Sequence, residues 1–102
     1  MPMAVTTRVD KGRGTLALTG RFDFIVHRDF REAYERLFGS RIEALDIDLR
    51  DVTHLDSSAL GMLLLVRERA DQVKCTLALV NCPPAVRRVF EIANFQKLFA
   101  IS

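Results

Sequence analysis

A length of 102 residues suits a single domain with one core and is too short for two. The apolar fraction of 49% and the charged fraction of 27% are those of a globular protein, which excludes the disordered and low-complexity classes. The net charge of +2 comes from lysines and arginines scattered among acidic residues. Because they form no basic stripe that would neutralise a row of phosphates, nucleic acid is not an expected partner.

The cysteines and the apolar runs exclude further classes. Cys75 and Cys82 are seven positions apart and have no accompanying histidine cluster, so we expect two reduced, mostly buried thiols rather than a metal or redox site. The first residues lack the features of a signal peptide. The longest apolar run, Ala59–Val66, is far shorter than the roughly 20 residues that span a bilayer. We therefore expect a cytoplasmic protein without a membrane partner.

The N-terminal part predicts a β-hairpin followed by an amphipathic helix. Apolar and polar residues alternate on both sides of the turn-forming segment Lys11–Gly14, and the alternation continues to Gly20. From His27 to Phe38 the apolar residues recur at helical spacing, and Gly39 stands where a helix would close. This helix should pack on a sheet.

Strands and helices alternate through the rest of the chain. In Leu45–Leu49 the apolar residues alternate with aspartates, which predicts a strand with one buried face. Thr76–Val80 predicts another strand, and Pro83–Pro84 stands where the first turn of a third helix tolerates proline. The order β-β-α-β-α-β-α with a short tail predicts an α/β fold, with mostly parallel pairing after the hairpin and helices mainly on one face. We expect one domain over residues 1–102, without linker or repeat.

The start of the second helix is the candidate site for chemistry. Asp56, Ser57 and Ser58 precede an apolar run, and such residues favour a helix start because their oxygens accept from free backbone N–H groups. The helix should run to about Ala70. Its positive end would tolerate a phosphate on either serine, and a phosphoserine carrying about −1.5 to −2 charges would repel an apolar or acidic partner. The alternative is that both serines only cap the helix.

Two neighbouring stripes divide the surface of this helix. Helical spacing from Ser58 reaches Met62, Leu65 and Arg69. The stripe better placed to face the sheet consists of Ala59, Leu63, Val66 and Ala70. We expect Met62 and Leu65 to be exposed and to form a docking surface beside the serine. The alternative is a helix that is buried nearly all round.

Four segments resemble the STAS domain of bacterial anti-sigma-factor antagonists. Asp48–Val52 (DLRDV) and Leu55–Gly61 (LDSSALG) are similar to its signature. Gly20–Asp23 resembles the family's end of the second strand, and Asn81–Phe90 resembles its last passage from strand to helix. The likeness covers nearly the whole chain and implies a STAS-like fold. Phe24–Arg28 departs from the pattern because it lacks the small residues usual there.

The resemblance implies a partner-switching cycle. In such families the unmodified protein binds a serine-kinase anti-sigma factor and frees a sigma factor, and phosphorylation ends the contact. The matching position is Ser58, with Ser57 less favoured, and a PP2C-like phosphatase restores the serine. Asp23 and Asp56 match positions that orient the hydroxyl and shape the docking surface, with capping and solvation as the alternative. No cofactor or metal is implied for this chain, since ATP, magnesium and the catalytic base belong to the kinase.

Two rival functions remain open on the residues. An enzyme would use Ser58 as nucleophile with His27 or His54 as base, but the serine lacks the flanking glycines of a nucleophile elbow. We therefore do not expect an enzyme. The other rival is a STAS module that serves as a binding subunit of a transporter or signalling assembly, with Ser58 never modified.

Overall fold

The computed structural model describes residues 5–102, which form one mixed sheet and three α-helices. The strands, in their order across the sheet, are Val5–Asp10 (β1), Arg13–Phe22 (β2), Ala44–Leu55 (β3), Thr76–Val80 (β4) and Ala100–Ile101 (β5). The helices are His27–Gly39 (α1), Ser57–Gln72 (α2) and Pro84–Ile92 (α3). β1 and β2 pair antiparallel, and the other neighbours pair parallel. The predicted α/β fold with an N-terminal hairpin is confirmed.

The hairpin turns at Lys11 and Gly12 for a conformational reason. Asp10 pairs with Arg13, which leaves Lys11 and Gly12 as a two-residue loop. Both residues have positive φ, 51° and 80°, as the favoured twist of such a loop requires, and glycine adopts this conformation without steric cost.

Alternation along the central strands gives the sheet two unlike faces. Leu16, Ile47 and Leu79 are fully buried neighbours on one face. That face lies under the helices, since α1 contacts β1 and β2 while α2 contacts β3 and β4. Asp46 lies on the opposite face, where it is partly exposed and accepts from Arg13 at 2.8 Å. The prediction that helices lie mainly on one face is confirmed.

The strand β3 is longer than the alternation at Leu45–Leu49 indicated. It continues to Leu55 through mostly exposed residues because β2 keeps pairing alongside it, with register shifts after Ala17 and Gly20. Phe22 therefore lies opposite Leu55, and the two strands end at the same edge of the sheet. This register brings the residues that follow them close together.

Helix α2 is held in place by its buried stripe and by an ion pair with α1. Its inner stripe is buried as predicted, with exposures of 0 to 2% for Ala59, Leu63, Val66 and Ala70. On the side, Arg69 donates from Nε and Nη2 to the two carboxylate oxygens of Glu35 in α1, at 2.6 and 2.8 Å. Arg69 lowers the pKa of Glu35 through these hydrogen bonds. The two helices are held as one layer.

The C-terminal segment adds an element that the sequence did not predict. A 3-10 turn at Phe95–Lys97 stacks Phe95 on Phe90 of α3, with ring centroids 5.6 Å apart, and leads into β5 beside β4. Both cysteines are free, Cys75 buried and Cys82 half-buried, and burial raises the pKa of each thiol. No helix within residues 5–102 has the length and hydropathy needed to cross a membrane.

Candidate functional site

Two aspartates meet where β2 and β3 end. Asp23 follows Phe22 and Asp56 follows Leu55, which are paired across the two strands. The two aspartates line one small cavity of about 120 Å³ together with Arg21 and His54. The parallel pairing thus converts two positions that are 33 residues apart into neighbours.

Asp56 caps helix α2 and also holds the hydroxyl of Ser58. Its Oδ1 accepts from the backbone N–H of Ala59 at 3.0 Å and from Ser58 Oγ at 2.6 Å. The helix start predicted at Asp56–Ser58 is therefore confirmed. The Ser58 hydroxyl, and then the Ala59 N–H, lower the pKa of Asp56 below its usual range, so Asp56 is a carboxylate at neutral pH.

The two serines differ in how they are held. Ser57 is the exposed first residue of α2, whereas Ser58 is half-buried and its hydroxyl donates to Asp56. Ser58 Oγ is therefore oriented at the positive end of a 16-residue helix without being enclosed in the core. A phosphate added at this position is electrostatically tolerated by the helix.

Asp23 has a separate structural role. Its Oδ1 accepts from the Ile25 N–H at 3.0 Å and caps a 3-10 turn at Phe24–Val26, and its Oδ2 lies 3.5 Å from Arg21 Nε. Of the two aspartates predicted to orient the hydroxyl, Asp56 makes that hydrogen bond and Asp23 holds the adjacent turn. The part predicted for Asp23 in shaping a docking surface stays a prediction.

The turn presents two apolar side chains that the sequence reasoning missed. Phe24 is 70% exposed and Ile25 is 85% exposed, whereas Val26 is buried and anchors the turn. Phe24 stacks on His27 with ring centroids 5.7 Å apart. The available signal was the departure from small residues at Phe24–Arg28. Alternation alone does not show that two successive apolar residues both face solvent.

Of the two apolar side chains predicted to be exposed on α2, one is exposed. Leu65 is 49% exposed, which confirms that prediction. The predicted exposure of Met62 is wrong, because its side chain is only 4% exposed. Met62 lies three residues after Ala59 and four before Val66, so it shares the buried stripe of the helix. It does not belong to a surface that a partner could contact directly.

Comparison with known proteins places this arrangement in a family. The family model described as "Mlab, STAS domain" matches residues 5–100. The chain belongs to the STAS domain family. The STAS-domain containing protein PA14_20770 of Pseudomonas aeruginosa (strain UCBPP-PA14) is 47% identical over 102 residues, which cover 98% of this chain and 100% of the relative.

Two further STAS-like proteins are informative by name. "Putative anti-sigma factor antagonist BtrV" of Bordetella bronchiseptica (strain ATCC BAA-588 / NCTC 13252 / RB50) is 36% identical over 56 residues, covering 55% of this chain and 48% of BtrV. The anti-sigma factor antagonist SpoIIAA has been solved unphosphorylated, with a TM-score of 0.76, 20% identity and coverage of 97% of this chain and 87% of SpoIIAA. The phosphorylated form of SpoIIAA, from Bacillus, has a TM-score of 0.73 and 18% identity, with coverage of 97% of this chain and 91% of SpoIIAA. The likeness to SpoIIAA shows a shared fold.

The two histidines of this STAS domain contact residues other than Ser58. His54 Nδ1 is 3.1 Å from the Thr53 hydroxyl, and His27 stacks on Phe24. The hydrogen-bond partner of the Ser58 hydroxyl is the carboxylate of Asp56. Neither of these histidine contacts involves the Ser58 hydroxyl.

Proposed function

We propose that this STAS domain is an anti-sigma-factor antagonist in a partner-switching cycle and is not itself an enzyme. It binds a serine-kinase anti-sigma factor while Ser58 is unmodified and is released when Ser58 is phosphorylated. The observation that carries the proposal is the Ser58 hydroxyl, held by Asp56 at 2.6 Å at the start of α2 and open to solvent on one side. The names of BtrV and SpoIIAA support the same class.

The modification step uses the partner's chemistry. The kinase transfers the γ-phosphoryl group of ATP, so the bond from Ser58 Oγ to phosphorus forms and the bond from phosphorus to the departing ADP oxygen breaks. The hydroxyl proton passes to a base of the kinase, because Asp56 with its lowered pKa is a poor proton acceptor. A PP2C-like phosphatase reverses the modification: water attacks phosphorus, the bond from phosphorus to Ser58 Oγ breaks, inorganic phosphate leaves and Oγ takes up a proton.

The surface around the serine suits a protein partner. Phe24 and Ile25 stand exposed on the turn that Asp23 holds, and Leu65 is half exposed two turns along α2 from Ser58. Exposed apolar side chains beside a polar centre are typical of protein-binding surfaces. A phosphate at Ser58 would place a strongly hydrated charge within this surface and oppose its desolvation.

The site of modification is tested by mass measurement. The tagged chain is recovered from its native host as wild type, Ser57→Ala and Ser58→Ala, and analysed by intact mass and peptide mapping. We expect one phosphate on Ser58 in the wild type and in Ser57→Ala, and none in Ser58→Ala. A phosphate that persists in Ser58→Ala would overturn the assignment. The absence of phosphate from all three proteins under every growth condition would favour the unmodified binding subunit of a larger assembly.

The effect of charge on binding is tested with a matched pair. Ser58→Asp and Ser58→Asn introduce side chains of nearly the same size that differ by one charge. We expect Ser58→Asp to weaken binding of the purified kinase by about tenfold or more, while Ser58→Asn weakens it less and Ser58→Ala preserves it. Equal affinities for the Asp and Asn variants, measured by calorimetry, would count against release by charge.

A further inference from the structure

A single oxygen of Asp56 serves two donors. Oδ1 accepts from Ser58 Oγ at 2.6 Å and from the Ala59 N–H at 3.0 Å. The hydrogen bond to Ser58 exists only because the hydroxyl carries a proton, since a carboxylate has none to donate. Any change that removes this proton changes the cap of the helix as well.

Phosphorylation removes that proton and adds charge at the same atom. Ser58 Oγ then carries a phosphoryl group of about −1.5 to −2 charges and can no longer donate to Asp56. Two groups of like charge would face each other across a contact that was a short hydrogen bond, next to N–H groups that both can use. This repulsion favours the departure of one of them from the start of α2.

Asp56 is the group that we expect to leave. It is exposed, and no cation within residues 5–102 forms an ion pair with it. The charged or titratable side chains that share its cavity are Arg21, Asp23 and His54, and Arg21 lies against Asp23. The phosphoryl group is covalently attached beside the first turn and has more oxygens with which to accept from Ala59.

Building on the proposed function, we propose that phosphorylation of Ser58 exchanges the cap of α2. A phosphoryl oxygen replaces Asp56 Oδ1 as the acceptor of the Ala59 N–H, and the Asp56 carboxylate turns out to solvent beside the Asp23 turn. The modified surface then carries two negative groups where the unmodified one carries a carboxylate already engaged with the helix. The helix itself stays in place, because its stripe at Ala59, Leu63 and Val66 is fully buried.

The exchange is tested without any kinase. Full-length chain with phosphoserine installed at position 58 by genetic encoding is compared with unmodified chain in NMR titrations of the Asp56 carboxyl carbon and the Ala59 amide. In the unmodified chain both signals should follow one midpoint below the usual aspartate range. With phosphoserine 58, the Asp56 midpoint should rise, and the Ala59 amide should instead follow the second ionisation of the phosphate, at a pKa of about 6.

Phosphoserine installed at position 57 is the matched control. It adds the same charge one residue earlier and leaves the Ser58 hydroxyl intact, so the Ala59 amide should keep following Asp56. The proposal is overturned if the Ala59 amide follows Asp56 in the phosphoserine 58 protein as well, even if the Asp56 midpoint rises by simple repulsion. Because the test needs no partner, its failure leaves the proposed switch standing, and a chain never phosphorylated in its host would leave this result unaffected.

Discussion

Helices α2 and α3 both begin after a parallel strand, at the same edge of the sheet, and their first turns differ in chemistry. Asp56 caps α2 with its side chain, whereas the N-cap of α3 is Pro83, which makes no side-chain hydrogen bond. The second residue of α2 is Ser58 and the second residue of α3 is Ala85. Both helices follow parallel strands, but of the two only α2 begins with an aspartate cap and a serine in its first turn.

The start of α3, which has no serine, is connected to the C-terminal segment of the chain. The N–H of Cys82, just before α3, donates to the carbonyl of Ser102 at 3.0 Å, and the far end of α3 leads into the stacked Phe90 and Phe95. The start of α2 has the Asp56 cap and lies beside the turn at Phe24–Val26, and Ala59 in its first turn is fully buried. The two helix starts therefore differ in their contacts: a backbone hydrogen bond joins the start of α3 to the C-terminal segment, whereas the start of α2 carries the hydrogen bond between Ser58 and Asp56.

The largest effect expected from substitutions in the two helices is on the stability of the fold. Phe90 is fully buried, so Phe90→Ala should lower the free energy of unfolding by about 3–5 kcal/mol. Ser57→Ala at the exposed first residue of α2 should change it by no more than about 0.5 kcal/mol. Urea denaturation measures both. Similar losses in the two variants would show that the start of α2 is as structural as α3.

Substitution of two exposed isoleucines distinguishes binding at a specific docking surface from nonspecific hydrophobic binding. Ile25 is 85% exposed on the turn beside Ser58, and Ile92 is 78% exposed at the end of α3. Ile25→Ser should weaken binding of the anti-sigma kinase by about fivefold, or ~1 kcal/mol, by removing a central apolar contact. Ile92→Ser should leave the affinity unchanged. Calorimetric affinities that fall equally in both variants would contradict a docking surface at the Asp23 turn.

Acid should weaken the chain in part through the cap of α2. The pKa of Asp56 is lower in the folded chain than its usual value, so its contribution is present above that usual value and is lost as pH falls through the folded pKa. Ser58→Ala removes the largest cause of the lowering, so the loss should be smaller and should be complete at a higher pH, and Asp56→Asn should abolish it.

Thermal unfolding midpoints measured against pH give these differences. Glu35, whose pKa is also lowered, contributes with the same sign to all three proteins and cancels between them. Parallel profiles for wild type and Asp56→Asn would show that the cap contributes nothing to acid stability.

The smallest effect is expected from moving the serine to the other helix. Ala85→Ser places a hydroxyl at the second residue of α3, the position that Ser58 has in α2. The N-cap residue of α3 is Pro83, which makes no side-chain cap hydrogen bond. We expect no phosphate on residue 85 in peptide maps and a stability change within about 0.5 kcal/mol. Phosphorylation there would mean that any serine in a first helical turn suffices.

Local patterns were enough to predict most of the fold. The hairpin at Lys11–Gly14, the strand Thr76–Val80 and the helix after Pro83 all depend on short-range turn chemistry or periodicity, and the structure has each of them. The extension of β3 to Leu55 and the final strand at Ala100 were not predicted. Both depend on pairing with a distant strand rather than on their own apolar content.

The features of the site that depend on neighbouring residues in the sequence were predictable, and those that depend on the tertiary structure were not. The cap at Asp56 and the place of Ser58 in the first turn of α2 follow from the order of residues before an apolar run. The role of Asp23 in holding the adjacent turn and the exposure of Ile25 arise from a 3-10 turn, for which the sequence signal was the departure from small residues at Phe24–Arg28. Met62 was assigned to the wrong stripe because two adjacent stripes of one helix differ by only a small rotation.

The most direct test of the account compares two phosphorylated forms of the chain. Phosphoserine is installed at position 58 or at position 57, and the affinity of each form for the purified anti-sigma kinase is measured by calorimetry beside the unmodified chain. We predict that the unmodified chain binds, that phosphoserine 58 abolishes binding and that phosphoserine 57 weakens it less. Binding of the phosphoserine 58 chain with the affinity of the unmodified chain would contradict the account.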